Sequence, residues 1–311
     1  MHDKKKSNHH DSVLFNESLN SLNIKSNGIY IDATLGRCGH TRGILERLEK
    51  SGRVIGLDQD IDAIKYAKMN FTDSRLSLIH SNFSKLNEQL EKLKIIGKVD
   101  GILMDLGISS PQIDNAERGF SFNKDGALDM RMDQSKKLTA AIWLKESSER
   151  EIANTLYQYG EEKKSRIIAS TIKEYQKNKD IKSTLELAEL IKTVVKPGKN
   201  KHPATRSFQA IRIAINDELK MLSEALNQTL DALAKNGRLA VITFHSIEDR
   251  IVKQFIHKHS RPEQLPKGLP IISDDSNQCA LKDLGKVKPT SEEIKINRRS
   301  RSAILRVVEK C

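Results

Sequence analysis

The sequence predicts an α/β fold in which a parallel sheet is interrupted by an inserted all-helical domain. Two observations carry this prediction. Short β-branched or Leu-rich runs alternate with helical patterns through the first hundred residues, and the alternation then stops until about residue 238. Alternating strands and helices form parallel sheets whose strands are joined by crossover helices. The 311 residues suffice for about two domains at roughly 150 residues each.

The first part of the chain supplies four strands and three helices. The strands are predicted where apolar runs contain or end at Gly, Asp or Ser, at 28–33, 53–58, 76–81 and 98–107. The helices are predicted where apolar residues recur at steps of three and four, at 43–51, 60–71 and 84–96.

The middle of the chain has helical patterns and polar loops without a clear strand. Ser148 precedes one helical run and Glu151 follows three residues later, which is typical of a capping box. Pro197 and Gly198 end another helical run. We therefore predict a sheet domain in two parts with a helical substrate-recognition domain between them, with boundaries at 1–112, 113–205 and 206–311.

The last part of the chain is predicted to resume the sheet. One long helix is expected at about 204–235, because apolar residues recur there at helical spacing, with Gly237 as its C-terminal cap. A strand follows at 238–246. The remaining elements are a helix, a polar connection and a final strand, at 248–258, 260–292 and 302–310.

Composition narrows the class of protein. Lys and Arg number 53 against 41 Asp and Glu, a net charge of +12 that points to an anionic partner. No apolar stretch approaches the roughly 18 residues that a membrane span needs, and the N-terminus lacks the apolar region of a secretory signal. The three cysteines lie far apart and no metal-ligand spacing occurs. These features predict a soluble, cytoplasmic protein without a metal site.

A nucleoside-containing cofactor is predicted at the ends of the first strands. The segment 32–40 lies between a strand and a helix, and Asp58 ends the second strand 22 residues after Gly36, where a carboxylate reaches a ribose diol. The G-x-G-x-x-G fingerprint is absent, so S-adenosylmethionine fits better than NAD. Each feature taken singly is more often a tight turn or a helix N-cap, and Phe83, after the third strand, is equally a core residue.

Several strings of the chain are similar to one known family, the bacterial 16S ribosomal RNA (cytosine-N4)-methyltransferases that act in the decoding centre at the P site. Besides HDSVLFNE at 10–17, the most specific strings lie at 30–40, 102–114, 117–133, 202–216 and 244–253. The resemblance implies a Rossmann-like, S-adenosylmethionine-dependent methyltransferase sheet with a helical insertion. It also implies a substrate, 16S ribosomal RNA within the small ribosomal subunit, and cofactor contacts at Cys38, Gly39, His40, Asp58, Phe83, Asp105 and Gln112.

One position departs from that family, which usually has glycine where this chain has Cys38. Cysteine serves there if φ is negative and is strained if φ is positive. This departure is the only sequence feature that favours an alternative, a non-catalytic ribosome-binding or assembly factor that retains the fold. A nicotinamide-dependent oxidoreductase is a second alternative, and the missing fingerprint and basic balance speak against it.

The implied reaction methylates an amine whose lone pair is delocalised into the ring, so catalysis depends on orientation. Asp105 is the first candidate to hold the amine, although it could contact only the cofactor. His245 is a candidate general base, and the alternative is that Ser246 caps the following helix at a strand exit. Phe120 or Phe122 could stack on the base, or both could be core residues.

Basic residues near two of these strings predict contacts with RNA phosphates. The candidates are Lys199, Lys201, His202, Arg206, Arg298 and Arg299. The alternative is a solvated charged face. The sequence leaves a homodimer open.

Overall fold

The structure is a computed structural model that describes residues 12–197, 202–261 and 279–311. The chain divides into two compact units. Unit 1 comprises residues 1–107 and 221–311, and unit 2 comprises residues 108–220. The predicted insertion, 113–205, falls inside unit 2, and its limits as a substrate-recognition domain stay a prediction.

The described residues of unit 1 form a seven-stranded sheet in the order β3-β2-β1-β4-β5-β7-β6. Strands β1 to β5 pair in parallel, whereas β7 pairs antiparallel to both β5 and β6. The strands are β1 (Ile29–Asp32), β2 (Arg53–Asp58), β3 (Leu76–His80), β4 (Val99–Asp105), β5 (Leu233–Thr243), β6 (Leu281–Val287) and β7 (Ile304–Lys310). The four strands predicted in the first part of the chain are thereby confirmed. Strand order reverses direction at β1, which places a crevice between the carboxyl ends of β1 and β4.

The helices of unit 1 cover both faces of this sheet. They are α1 (Phe15–Ser21), α2 (Gly39–Leu45), α3 (Ile61–Asn70), α4 (Leu86–Leu93), α11 (Glu218–Ala232), which begins in unit 2, α12 (Ser246–His259) and α13 (Ser291–Ile296). Side chains alternate along each strand, as a pleated backbone requires. In β4, Ile102 and Met104 join the core that contains α4, α11 and α12, whereas Leu103 joins the core that contains α1 and α2.

Unit 2 is helical in its described residues. Its helices are α5 (Ser110–Asp114), α6 (Ala140–Glu146), α7 (Glu149–Gly160), α8 (Ser165–Gln176), α9 (Thr184–Val194) and α10 (Thr205–Asn216). The predicted capping box of α7 is present, with reciprocal hydrogen bonds between Ser148 and Glu151. A separate apolar cluster fills this unit, including Leu156, Ile168 and Ile211. Across the described ranges of both units, the helices are too short or too polar to cross a membrane.

The prediction of one long helix at 204–235 is wrong. The chain forms two helices, α10 and α11, because Asp217 adopts the left-handed conformation with φ of 53°. Gly237 is not a helix cap either, since α11 ends at Ala232 and Gly237 lies within β5. Other elements fall where no element is predicted, among them α5 and α13. Strand β6 lies inside the predicted polar connection, and α1 precedes the first strand.

Candidate functional site

The candidate site lies in unit 1, where three neighbouring strands end in carboxylates. Asp32 ends β1, Asp58 ends β2 and Asp105 ends β4. These strands are adjacent in the sheet order β2-β1-β4, so their carboxyl ends share one edge. That edge is where open α/β sheets bind ligands.

The turn between β1 and α2 is fixed against the end of β2. Gly36, with φ of 50°, donates its backbone N–H to Asp58 Oδ2 at 2.9 Å. The second oxygen of Asp58 accepts the N–H of Asp60 at 2.8 Å. Burial raises the pKa of the Asp58 carboxyl to about 6, and these two hydrogen bonds partly offset the effect. Each carboxylate oxygen retains a lone pair for a ligand hydroxyl.

Cys38 has a positive φ, which is the strained case for a residue that stands where the family usually has glycine. Its φ is 61°, in the left-handed region, which costs an L-residue other than glycine about 1–2 kcal/mol. The side chain is fully buried beside Leu35, Ile64 and Ala67. Burial, with the nearby charges of Asp32 and Asp58, raises the pKa of the Cys38 thiol to about 12. The thiol therefore stays protonated at neutral pH and is a poor nucleophile.

This environment predicts that Cys38 resists alkylation in the folded protein. Iodoacetamide at neutral pH is expected to label the exposed Cys311 rapidly, and Cys38 only after denaturation, because the thiolate is the reacting species. Mass analysis of the tryptic peptides separates the two sites. Equal labelling rates in native protein would contradict the assigned environment of Cys38.

The backbone of Asp105 is fixed by a hydrogen bond, whereas its carboxylate makes few contacts with protein donors. Its N–H donates to Thr34 Oγ1 at 2.6 Å, and its side chain is 25% exposed. Asp105 Oδ2 lies 3.6 Å from His40 Nε2, beyond hydrogen-bond distance. Within the described residues, Asp105 Oδ1 has no hydrogen-bond partner. An acceptor at this position can receive an N–H from a ligand.

Asp32 differs from Asp105 because both of its oxygens are occupied. Oδ1 accepts the Thr34 N–H at 3.2 Å, and Oδ2 accepts the Thr41 hydroxyl at 2.6 Å. Burial raises the pKa of this carboxyl. Sequence reasoning did not single out Asp32, Thr34 or Thr41, although Asp32 ends a strand in the same way as Asp58 does.

The structure places the other predicted unit 1 residues as follows. Gly39 and His40 begin α2, and the His40 ring is buried. Phe83 opens a 3₁₀ helix (Phe83–Lys85), where it is half-buried and packs on the sheet core. Arg298 and Arg299 are exposed in a 3₁₀ helix before β7.

His245 caps α12, so the expectation that Ser246 is the cap is wrong. His245 Nδ1 accepts the Glu248 N–H at 3.4 Å, and His245 Nε2 lies 3.0 Å from Glu248 Oε1. The Glu248 carboxylate also accepts the N–H of Phe244 at 2.8 Å. Nδ1 is therefore used in the helix cap, whereas Nε2 makes no hydrogen bond within the described residues. The general-base role of His245 stays a prediction.

The remaining predicted residues belong to unit 2 or lie outside the described residues. Gln112 is buried, and its side chain accepts the Ser109 N–H at 2.9 Å to close the cap of α5. The Phe122 ring stacks on His202 at 4.3 Å between centroids, and burial lowers the pKa of His202. Phe120 is buried in the core of unit 2, and Arg206 is exposed. Lys199 and Lys201 lie outside the described ranges.

Comparisons with known proteins agree on one family for this chain. Residues 7–311 match the MraW methylase family. The chain is 60% identical to a "Ribosomal RNA small subunit methyltransferase H" of Vesicomyosocius okutanii subsp. Calyptogena okutanii, over 97% of this chain and 98% of that protein. A protein of the same name from Ruthia magnifica subsp. Calyptogena magnifica is 58% identical, and the match covers 97% of this chain and 99% of that protein. Another from Shewanella oneidensis is 49% identical, and the match covers 97% of each chain.

Proposed function

The chain belongs to the MraW methylase family, and from that premise we propose that it methylates the exocyclic N4 of a cytidine in the decoding centre of 16S ribosomal RNA. It is a methyltransferase, and S-adenosylmethionine is its methyl donor. The proposed substrate is the RNA within the small ribosomal subunit, in the cytoplasm. The names of the relatives, which specify the small subunit, support this choice of substrate.

One observation carries the proposal: three carboxylates end adjacent strands around an open glycine turn. A Cβ built on Gly36 would have Thr34 O as its nearest neighbour, at 3.9 Å, so a ligand has room beside the turn. Asp58 offers lone pairs to ligand hydroxyls and Asp105 offers an unpartnered oxygen to an N–H donor. These residues fit a cofactor that carries a ribose diol and an ammonium group.

The chemistry assigns separate tasks to these side chains. The cofactor, when bound, supplies an electrophilic methyl group on a sulfonium. Asp58 binds hydroxyl donors at the end of β2. Asp105 accepts an N–H at the crevice between β1 and β4, where it can orient an amine and stabilise the positive charge that develops on nitrogen.

The cysteines favour transfer to the amino group over transfer to carbon 5 of the ring. Carbon 5 of cytosine becomes nucleophilic only after a thiolate adds to the neighbouring carbon, whereas the amine attacks directly. Cys38 is buried with a pKa of about 12. Cys279 precedes β6 and Cys311 follows β7, and the Cys311 N–H donates to Ala280 O at 3.1 Å. Because β7 runs antiparallel to β5, both cysteines lie at the opposite edge of the sheet from the carboxyl ends of β1, β2 and β4.

The test is incubation of the purified protein with labelled S-adenosylmethionine and small ribosomal subunits that lack the modification, followed by nucleoside analysis. Label in N4-methylcytidine supports the proposal, and label in another nucleoside overturns it. Absence of label despite measured cofactor binding would favour the alternative of a non-catalytic assembly factor. Cys38→Gly then tests whether strain at Cys38 accounts for lost turnover.

Cofactor affinity is expected to decline below about pH 6. The raised pKa of Asp58, about 6, means that this carboxyl takes up a proton as the pH falls through that value and loses its capacity as a full acceptor. Affinity for S-adenosylhomocysteine, measured by calorimetry from pH 5 to 8, should fall about tenfold per pH unit below the pKa. Asp58→Asn should abolish this dependence, and Asp62→Asn, an exposed control on α3, should retain it. A flat profile in wild-type protein would remove Asp58 from the ribose contacts.

Two basic sets are expected to supply RNA affinity without base selectivity. Replacing Arg298 and Arg299 with alanine, or Lys199, Lys201 and Arg206 with alanine, should weaken binding. Each lost phosphate contact should also flatten the slope of log K against log salt by about 0.7–0.9. Arg53→Ala is the control, because Arg53 is also exposed but lies at the amino end of β2. A slope unchanged by either set would assign those residues to a solvated face.

A further inference from the structure

Two polar side chains at the candidate site face each other with unused hydrogen-bonding capacity. The His40 side chain is 5% exposed, and neither ring nitrogen has a hydrogen-bond partner in the described parts of the chain. Asp105 Oδ1 shares this condition, and 3.6 Å separates His40 Nε2 from Asp105 Oδ2. Buried polar groups without partners cost free energy, so this arrangement calls for a physical reason.

Asp105 is the carboxylate with an oxygen 3.6 Å from His40 Nε2, and it has more unused hydrogen-bonding capacity than Asp32. Asp32 Oδ1 and Oδ2 already accept from Thr34 and Thr41. The backbone of Asp105 is fixed by Thr34 Oγ1 and by its register with Ile242 in β5. Only the carboxylate torsion of Asp105 is therefore left to be set by a neighbour.

The His40 ring is itself held by the N-terminal helix. Phe15 stacks on it with ring centroids 5.9 Å apart and an interplanar angle of 26°. This approach depends on Gly43, where a Cβ would come within 2.6 Å of Phe15 Cζ. The start of α1 is anchored to α13, because Leu14 donates its N–H to Glu293 Oε1 at 2.8 Å.

We propose that His40 is a positioning residue whose Nε2–H donates to Asp105 Oδ2, so that Asp105 Oδ1 is presented to an N–H donor of the bound ligands. The distance of 3.6 Å has to shorten to about 2.9 Å in the complex, as hydrogen bonds at active sites commonly do on ligand binding. The donor is either the ammonium group of the cofactor or the exocyclic amine of the target base. The choice of base rests on the proposed function, whereas the His40–Asp105 interaction does not.

The first experiment uses the protein saturated with S-adenosylhomocysteine and needs no RNA. Long-range proton–nitrogen NMR spectra of the imidazoles should show His40 with its proton on Nε2, and Asp105→Asn should shift the His40 Nε2 resonance. A His40 ring protonated on Nδ1, or one indifferent to Asp105→Asn, would overturn the proposal. This result stands whether or not the protein methylates ribosomal RNA.

The second experiment compares two replacements of His40. Glutamine places an N–H close to the position of Nε2, whereas phenylalanine keeps the stacking on Phe15 without a donor. His40→Phe is expected to lower ligand affinity or kcat about tenfold to a hundredfold, the factor for a hydrogen bond to a charged group, and His40→Gln should restore most of it. Combined with Asp105→Asn, His40→Phe should cost little more.

Two readouts identify the donor. Loss of affinity for S-adenosylhomocysteine assigns Asp105 Oδ1 to the ammonium of the cofactor. Unchanged affinity with reduced kcat and unchanged KM for RNA assigns it to the base. His259→Phe is the matched control, because His259 also packs on a phenylalanine, Phe255, at 4.9 Å, and it should change neither value.

Equal losses in His40→Phe and His40→Gln, additive with Asp105→Asn, would show that His40 only fills space and would overturn the proposal. Failure of wild-type protein to transfer label to cytidine would defeat the proposed function alone. The NMR and affinity measurements then decide the role of His40.

Discussion

Replacing Asp105 with alanine is expected to lower the kcat of methyl transfer about 10²–10³-fold, the usual loss when one preorganised electrostatic partner of the reacting group is removed. Asp105 is the last residue of β4 at the crevice, and its Oδ1 has no hydrogen-bond partner in the described ranges. Because the fold gains no hydrogen bond from that oxygen, we propose that it binds a ligand. Single-turnover kinetics with saturating cofactor measure the effect on chemistry.

The same substitution should leave stability nearly unchanged. A carboxylate oxygen that is buried without a protein donor, as Asp105 Oδ1 is, opposes folding, so the free energy of unfolding should stay within about 1 kcal/mol of wild type. Asp100→Ala is the matched control on the same strand. Asp100 accepts the Ile29 N–H at 3.0 Å and pairs with Lys25, so its loss should reduce stability and spare kcat. Full activity of Asp105→Ala together with unchanged affinity for S-adenosylhomocysteine would end the proposed role.

The sheet could be predicted from the sequence because each of its first four strands carries a local signal. The runs that contain Asp32, Asp58 and Asp105 are short and apolar, and helical periodicity follows the first two of them. Their parallel pairing then follows from the connections alone. The same logic places Asp58 and Asp105 at one edge of the sheet, which is why these candidate residues lie together in the structure.

The prediction of one long helix was wrong because the apolar residues of one continuous helical pattern pack into two different cores. Ile211 and Ile215 belong to the apolar cluster of unit 2, whereas Leu222 and Leu226 belong to the main cluster of unit 1. Helical spacing continues through both, so periodicity gives no sign of the left-handed residue at Asp217. Strand β6 was not predicted, for a different reason. All but the first of its residues are exposed, and a strand at the sheet edge has no buried face to give alternation.

The residues around His40 were also beyond sequence reasoning. Phe15 is far from His40 in sequence, and their stacking depends on tertiary packing of α1 against α2. His245 illustrates the opposite case. A histidine at a strand exit resembles a general base, yet its Nδ1 accepts the N–H of Glu248, a contact that the preference for Ser at helix N-caps does not anticipate.

The largest effect on stability is expected from replacing Asn216, the last residue of α10 before the break. This side chain is 1% exposed. Its Oδ1 accepts the Met132 N–H at 2.8 Å, and its Nδ2 donates to Met130 O at 2.8 Å and to Arg212 O at 2.9 Å. Asn216 thus holds a buried segment in which Met130 has φ of 63°, a conformation that persists only when its surroundings enforce it.

Asn216→Ala should therefore destabilise unit 2 by about 2–5 kcal/mol, because it leaves buried backbone groups of Met130 and Met132 without partners. Trp143, the single tryptophan of the chain, packs on the core of unit 2, so its fluorescence in denaturant titrations reports that unit. Asn227→Ala is the matched control, since Asn227 makes a similar bond to Ser223 O on an exposed face of α11, and it should cost under about 0.5 kcal/mol. Equal losses in the two variants would show that the 130–132 segment is held without Asn216, and the strain at Met130 would then need another source of support.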